Sequence, residues 1–222
     1  MTDLLIKFPS RTRPNLFKQK LDACINLLSG ELNIKFIFSF DSDDASMNND
    51  DIKNYLQNKN INMNYYYGES KNKIHAFNRD IPQDDWKILL VMSDDMLAIS
   101  KNYDKIIYDD MIKYFPNFDG CLNYNTHNEA WKNRAMVLPL MGRNFYNKFG
   151  YVYYPEYKSL YCDIEQTEIA ISLNKLIDVD KKIISHEWSS VRDDLRKYTE
   201  SNELRNHDFK IYEHRKANGY FL

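Results

Sequence analysis

An open α/β fold, with a mostly parallel twisted sheet flanked by helices and a helical tail, is the architecture this sequence predicts. Three observations carry it. Short apolar runs alternate with segments of helical period through the first two thirds of the chain. The most apolar run, Trp86 to Met92, is continuous rather than alternating, as expected of a strand buried on both faces. Polar clusters follow three of these runs at once, where an α/β sheet presents its ligand-binding loops.

Taken in order, Leu4 to Phe8 reads as a strand ended by Pro9-Ser10. Pro14 opens a helix, where its missing N–H does no harm, and Phe17, Leu21, Cys24, Ile25 and Leu28 recur at helical spacing before Gly30. Ile34 to Phe40 is a second strand, ending in Asp41-Ser42-Asp43-Asp44, and a helix follows near Asp51 to Gln57. Ile61 to Tyr67 is a third strand, and a helix is expected around Ser70 to Arg79. The strand Trp86 to Met92 stops at Ser93-Asp94-Asp95. Beyond it the pattern gives a helix Tyr103 to Phe115, a strand near Gly120 to Asn125, a strand Ala135 to Leu140 and a short helix Arg143 to Phe149. A helix Asp163 to Asn174, a strand-like run Leu176 to Ser185, and one or two charged surface helices between Val191 and Arg215 complete the chain.

With 222 residues, 43% of them hydrophobic, the chain has enough apolar material for a core and suits one domain. Lys+Arg total 30 against 32 Asp+Glu, so overall charge does not hold the protein on nucleic acid, although a local basic patch is compatible with these totals. No apolar stretch is long enough to span a membrane, and the first residues do not read as a signal peptide. Cys24, Cys121 and Cys162 are odd in number and widely spaced, which fits neither a disulfide framework nor a zinc motif; a cytoplasmic setting is expected.

The chemistry concentrates in a few residues. Two adjacent carboxylates, Asp94 and Asp95, repel each other unless a cation compensates, and Mg2+ or Mn2+ with phosphate oxygens would do so. A helix cap accounts equally well for the bare pair. A nucleoside diphosphate needs a base site, a ribose site and neutralised phosphates; Asp41 suits a base, Asp94 ribose hydroxyls, Asp95 the metal, and Arg13 and Lys73 phosphate or base. His186, at the end of an apolar run, reads as a further metal ligand or as a surface or capping histidine. Asp163 and Glu165 open a helix, where acids complement the helix dipole; a carboxylate there is also a candidate general base.

With these residues assembled, the chain resembles the family 2 glycosyltransferases of GT-A fold over roughly residues 3 to 188. Phe8-Pro9-Ser10-Arg11-Thr12-Arg13-Pro14 is similar to the family's opening strand and turn, and Phe40-Asp41-Ser42-Asp43-Asp44 to its Asp-rich second turn. Lys73-Ile74-His75-Ala76-Phe77-Asn78 resembles its Lys-x-x-Ala-x-Asn helix, and Leu89 to Met96 its strand with an Asp-x-Asp-type motif. Downstream, Lys148 to Tyr151 with Leu160 to Glu165 resembles the acceptor side, and Ser185-His186-Glu187-Trp188 the late histidine segment. Ser93 stands in place of the first acid of the motif, and Cys162 where the family often has glutamate.

The resemblance implies a GT-A domain over 1–188; the tail, 189–222, lies outside it and is expected to be a helical extension packed on the same domain. It implies a transferase that moves a sugar from a nucleotide-sugar, UDP by family habit, to an acceptor hydroxyl. Asp95 and His186 are then the ligands of Mn2+ or Mg2+. Pro9, Ser10, Arg13, Asp41, Lys73 and Asp94 bind the donor, and Asp163 is the base of an inverting displacement. A nucleotidyltransferase of related fold, or an inactive nucleotide-sugar-binding protein, are the rival readings; the first expects a glycine-rich phosphate loop, and Pro9 to Pro14 contains no glycine.

Overall fold

The computed structural model describes residues 1–83, 85–126, 135–187 and 193–221. Its strands are β1 (Thr2–Ser10), β2 (Ile34–Asp41), β3 (Met63–Gly68), β4 (Trp86–Val91), β5 (Met96–Ala98), β6 (Cys121–Tyr124), β7 (Leu140–Gly142), β8 (Leu176–Val179) and β9 (Ile184–His186). The helices, numbered in chain order, are α1 (Pro14–Asn26), α2 (Asp50–Gln57), α3 (Lys73–Asn78), α4 (Tyr103–Tyr114), α5 (Arg143–Phe149), α6 (Cys162–Ser172), α7 (Asp194–Thr199) and α8 (Asn202–Ala217). A 3-10 turn, Gly219–Phe221, follows.

Seven strands form one sheet in the order β3-β2-β1-β4-β7-β6-β8, and β5 pairs with β9 in a separate two-stranded sheet. The pairs β1–β2, β1–β4, β2–β3 and β6–β8 are parallel, and among the described residues β7 alone runs against its neighbours, β4 and β6, in this sheet. Successive side chains of β1 enter opposite layers, as strand geometry requires. Leu4, Ile6 and Phe8 join a core with Phe17 and Leu21 of α1, Ile52 of α2 and Ile107 of α4, whereas Leu5 faces Ile74 of α3, Phe145 of α5 and Ile169 of α6. Helices therefore cover both faces, which explains why Ile88 to Val91 of β4 are all fully buried. Phe17 makes edge contacts with Phe8, Phe38 and Phe40 at centroid distances of 5.3, 5.5 and 5.2 Å, tying α1 to the carboxyl ends of β1 and β2.

Three expectations are corrected. No strand forms over 135–139: Pro139 has no N–H for a ladder, the Met136 amide donates instead to Thr167, and pairing begins only at Leu140. The run from Leu176 to Ser185 is two strands in different sheets, separated by a turn in which the Lys181 amide donates to the Val179 carbonyl. The tail is no mere surface appendix. Helix α8 buries Leu204, Asp208, Tyr212 and Arg215, and Tyr212 belongs to the same core layer as Phe145 and Ile169. Trp188, the 188/189 boundary and the start of the tail at Val191 lie outside the described residues.

Candidate active site

The strand order reverses between β1 and β4, since β2 and β3 lie to one side of β1 and β4 with β7 to the other. Open α/β sheets bind ligands beyond the carboxyl ends of the strands at such a point. Here a cavity of about 700 Å³ occupies it, within the range of about 300–1,000 Å³ usual for small-molecule sites. Pro9, Ser10, Arg13, Asp41, Lys73, Asp94, Asp95, Asp163 and His186 all line it. Residues from the chain's two ends thus meet in one crevice.

Each side chain is placed by a local device. Asp94 and Asp95 follow β4 and are succeeded by the short strand β5, not by a helix, so the cap reading of the pair falls away. Strand β5 runs antiparallel to β9 with Met96 opposite His186. That register puts His186 Nε2 3.4 Å from Asp95 Oδ2, and the Glu187 amide donates to the Asp95 carbonyl at 2.6 Å. Ser93 donates its hydroxyl to the other Asp95 oxygen. Burial alone would raise the Asp95 carboxyl, but His186, Ser93 and the charge of Lys73 outweigh it and hold the group well below the usual carboxylate range.

Asp94 behaves in the opposite way. Burial pushes its carboxyl up to about 8, against the pull of Ser10 and Arg13 and with the charges of Asp95 and Asp193 acting in the same direction as burial. Its Oδ1 is buried with no hydrogen-bond partner among the described residues. A buried polar atom of this kind is costly unless a ligand satisfies it. Arg13 is drawn into the same acidic cluster: it grips Asp193, just before α7, through Nε at 2.6 Å and a second nitrogen at 2.8 Å. Burial would lower its guanidinium, but Asp193, Asp94 and Asp95 together raise it.

On the β2 side, Asp41 is held by Arg11 at 2.7 Å and lies 3.5 Å from Arg79. Arg11 also forks onto Asp43 at 2.6 and 2.9 Å. Arg79 reaches Asp80 at 2.6 Å and the Phe40 carbonyl at 2.7 Å. Beneath them Lys7, fully buried, donates to Ser39, and Ser39 donates to Asp80. Lys73, at the start of α3, lies 5.9 Å from the Phe77 ring. Asn78, which ends α3, accepts from the Val152 and Tyr153 amides at 2.9 and 3.1 Å and donates to the Tyr153 carbonyl at 2.7 Å. Helix α3 is thereby fastened to Tyr153, another residue that lines the cavity.

The two acids that open α6 separate. Asp163 lines the cavity, whereas Glu165 is buried beneath it, paired with Arg215 and Tyr157. The cavity is further lined by Tyr153, Ser159 and Leu160 before α6, by Cys162 at its first position, and by Leu195, Arg196 and Tyr198 of α7. The sequence reading missed Arg11, Arg79, Asp193 and α7 as parts of the site. Arg11 lies inside the same Pro-rich turn as Arg13 and carried a signal; Asp193 sits in a mixed-charge run with no periodic clue to its partner.

The residues fit a divalent cation. A carboxylate kept ionised beside an imidazole is an oxygen and nitrogen donor pair suited to Mn2+ or Mg2+. Among the described residues no three His, Cys, Asp or Glu side chains gather into a complete cage, so remaining ligands would come from a bound diphosphate and water. Among the described residues, also, no helix is long and apolar enough to cross a membrane.

No protein-family model matches the sequence, and no curated protein matches it either. Solved structures do share its fold. The mannosyltransferase PcManGT from Pyrobaculum calidifontis, in complex with GDP-Man and Mn2+, is similar with a TM-score of 0.64 and 12% identity, over 82% of this chain and 57% of that one. Residues 1–349 of S. aureus TarS are similar in complex with UDP, with a TM-score of 0.62 and 11% identity over 82% of this chain and 60% of that one. The complex of the same protein with UDP-GlcNAc gives 0.60 and 10% identity over 86% and 62%. The chain thus spans roughly three fifths of the length of these counterparts. Its fold is that of the GT-A glycosyltransferases. At this identity the likeness establishes fold alone.

Proposed function

We propose that this chain is a metal-assisted glycosyltransferase that moves a sugar from a nucleoside diphosphate sugar, UDP-linked, to an acceptor hydroxyl with inversion. One observation carries the reading: Asp95 and His186, from opposite halves of the chain, adjoin in a cavity at the strand-order reversal of a GT-A fold. Structures of that fold hold GDP-Man with Mn2+ and UDP-GlcNAc.

In this reading Asp95 and His186 hold Mn2+ or Mg2+. When bound, the ion stabilises negative charge on the departing diphosphate. Asp41, oriented by Arg11 and Arg79, accepts from the base, and Pro9 and Ser10 wall the nucleotide. Asp94 accepts from ribose hydroxyls, which supplies its orphaned oxygen with a donor. Arg13 and Lys73 face the phosphates. Asp163 takes the proton of the acceptor hydroxyl, whose oxygen attacks the anomeric carbon opposite the leaving diphosphate; the single displacement inverts that centre. Three buried free cysteines support a reducing compartment, the cytoplasm, as its place of work.

A thermal-shift panel of UDP- and GDP-sugars with and without Mn2+, followed by transfer assays on the hits, tests the reading. A native-state ligand raises apparent stability by mass action, so a Mn2+-dependent upward shift is expected. Silence across the panel would overturn it.

A further inference from the structure

The helix that carries Asp163 does not secure its own start. Tyr161, immediately before α6, adopts a left-handed backbone at φ 62° and provides no side-chain cap. A non-glycine residue in this region is held only where its surroundings enforce it. The enforcement comes from α8.

Asp208 of α8 is fully buried, and its carboxylate accepts from three consecutive amides of the loop before α6: Lys158 at 2.9 Å, Ser159 at 2.8 Å and Leu160 at 2.7 Å. Ser159 and Leu160 are cavity-lining residues. The Tyr161 ring packs on Tyr212 and Phe209 of the same helix at 5.6 and 5.5 Å. Past Asp163, Arg215 donates to both oxygens of Glu165 at 3.0 Å each, Tyr157 donates to Glu165 at 2.7 Å, and the Arg215 guanidinium lies 3.5 Å from the Tyr154 ring centre. Helix α8 therefore grips the chain on both sides of Asp163. None of these α8 groups is among the described residues that line the cavity.

We infer that Asp208 and Arg215 are positioning residues that set the acceptor-side wall and the start of the helix bearing Asp163, leaving the nucleotide half of the cavity to the strand tips. The inference rests on the glycosyltransferase reading for its catalytic consequence, and on contacts alone for its structural one. A charged hydrogen-bonded carboxylate buried with three amide donors is a high-cost group that persists only as a fully satisfied unit. Misplacing a catalytic group by about 1 Å costs on the order of a hundredfold in rate.

The test compares the full chain with Asp208→Asn, Arg215→Met and Arg215→Lys. Amide hydrogen exchange is followed at residues 157–168 and over β1, β2 and β4. Calorimetry with UDP and Mn2+ (GDP and Mn2+ should UDP fail to bind) reads the nucleotide half. Transfer kinetics read the acceptor half. Asp208→Asn should speed exchange over 157–168 while leaving the strands protected. Nucleotide affinity should stay within about twofold, while kcat for transfer falls about ten- to hundredfold. Arg215→Lys, which keeps a charge for Glu165, should recover part of what Arg215→Met loses. Unchanged exchange over 157–168, unchanged kcat despite faster exchange, or a parallel fall in nucleotide affinity would each overturn the inference. Should the unmodified chain transfer no sugar from any donor, the glycosyltransferase reading falls instead, and the exchange data alone decide whether α8 holds the wall.

Discussion

Nε2 of His186 lies 3.4 Å from the Asp95 carboxylate because Met96 and His186 are directly opposed in the β5–β9 ladder. This is a strand-register fact, not a loop coincidence, so the geometry survives small changes elsewhere. Asp95→Ala is expected to abolish the Mn2+-dependent part of any nucleotide-induced thermal shift. His186→Ala should raise the Mn2+ concentration needed for half of that shift by about tenfold or more. Wild-type Mn2+ titrations from both variants would remove the metal role.

Asp163→Asn keeps the shape of the side chain and removes the proton acceptor. Transfer kcat should fall by about 10²–10⁴, with the calorimetric affinity for UDP and Mn2+ retained. Turnover at the wild-type level would exclude Asp163 as the base.

Lys7 gives a pH signature away from the metal ligands. Burial lowers its ammonium to about 7, with Asp80 opposing and Arg79 reinforcing that shift. Its unfolded counterpart keeps the proton up to the ordinary lysine value of 10.5. Between these limits the unfolded chain binds more protons, so this group's contribution makes the fold more stable as pH rises from about 7 toward 10.5. Urea unfolding of the unmodified chain and Lys7→Met, compared at steps across that window, should show the unmodified chain gaining on the variant. A constant difference would mean that Lys7 is not buried as described.

Gly142 joins β7 to α5 at a backbone crossing. A Cβ there would sit 2.3 Å from the Phe118 carbonyl oxygen, a main-chain atom that cannot swing aside. Gly142→Ala should destabilise the fold by about 1–3 kcal/mol in urea denaturation. An alanine variant of unchanged midpoint would show that the crossing opens freely.

Arg13→Gln removes both bonds to Asp193 at the start of α7. Because Asp193 is partly exposed, the stability loss should stay near 1 kcal/mol. The larger effect should be weaker nucleotide binding, measured by calorimetry, since Arg13 also offsets Asp94 and Asp95. A variant with wild-type nucleotide affinity would confine Arg13 to bracing α7.

What the sequence disclosed depended on how local each signal was. The strands β1, β2 and β4 declared themselves through largely apolar runs, interrupted only by single polar residues such as Lys7, Ser39 and Lys87, because burial on both faces leaves few polar positions to blur the pattern. The cavity-lining Pro9, Asp41 and Asp94 were legible as candidates for the same reason: they follow closely where such runs stop. Strand β5 was invisible, being three residues whose pairing is set by a distant partner. The break between β8 and β9 was hidden inside one hydrophobic stretch, where composition does not say which sheet a strand joins. Helix α8 was underestimated because half of what it buries is ionic. Asp208 and Arg215 read as surface residues until their partners, the 158–160 amides and Glu165, are known.

The β5–β9 ladder also sets when in synthesis the Asp95–His186 pair can be assembled. Synthesis delivers β1, β2 and β4 early, yet the imidazole that adjoins Asp95 follows only after α6 and β8 have been made. A chain made only as far as β8 therefore carries Asp95 without the imidazole that adjoins it, and the pair exists only once the late segment has docked.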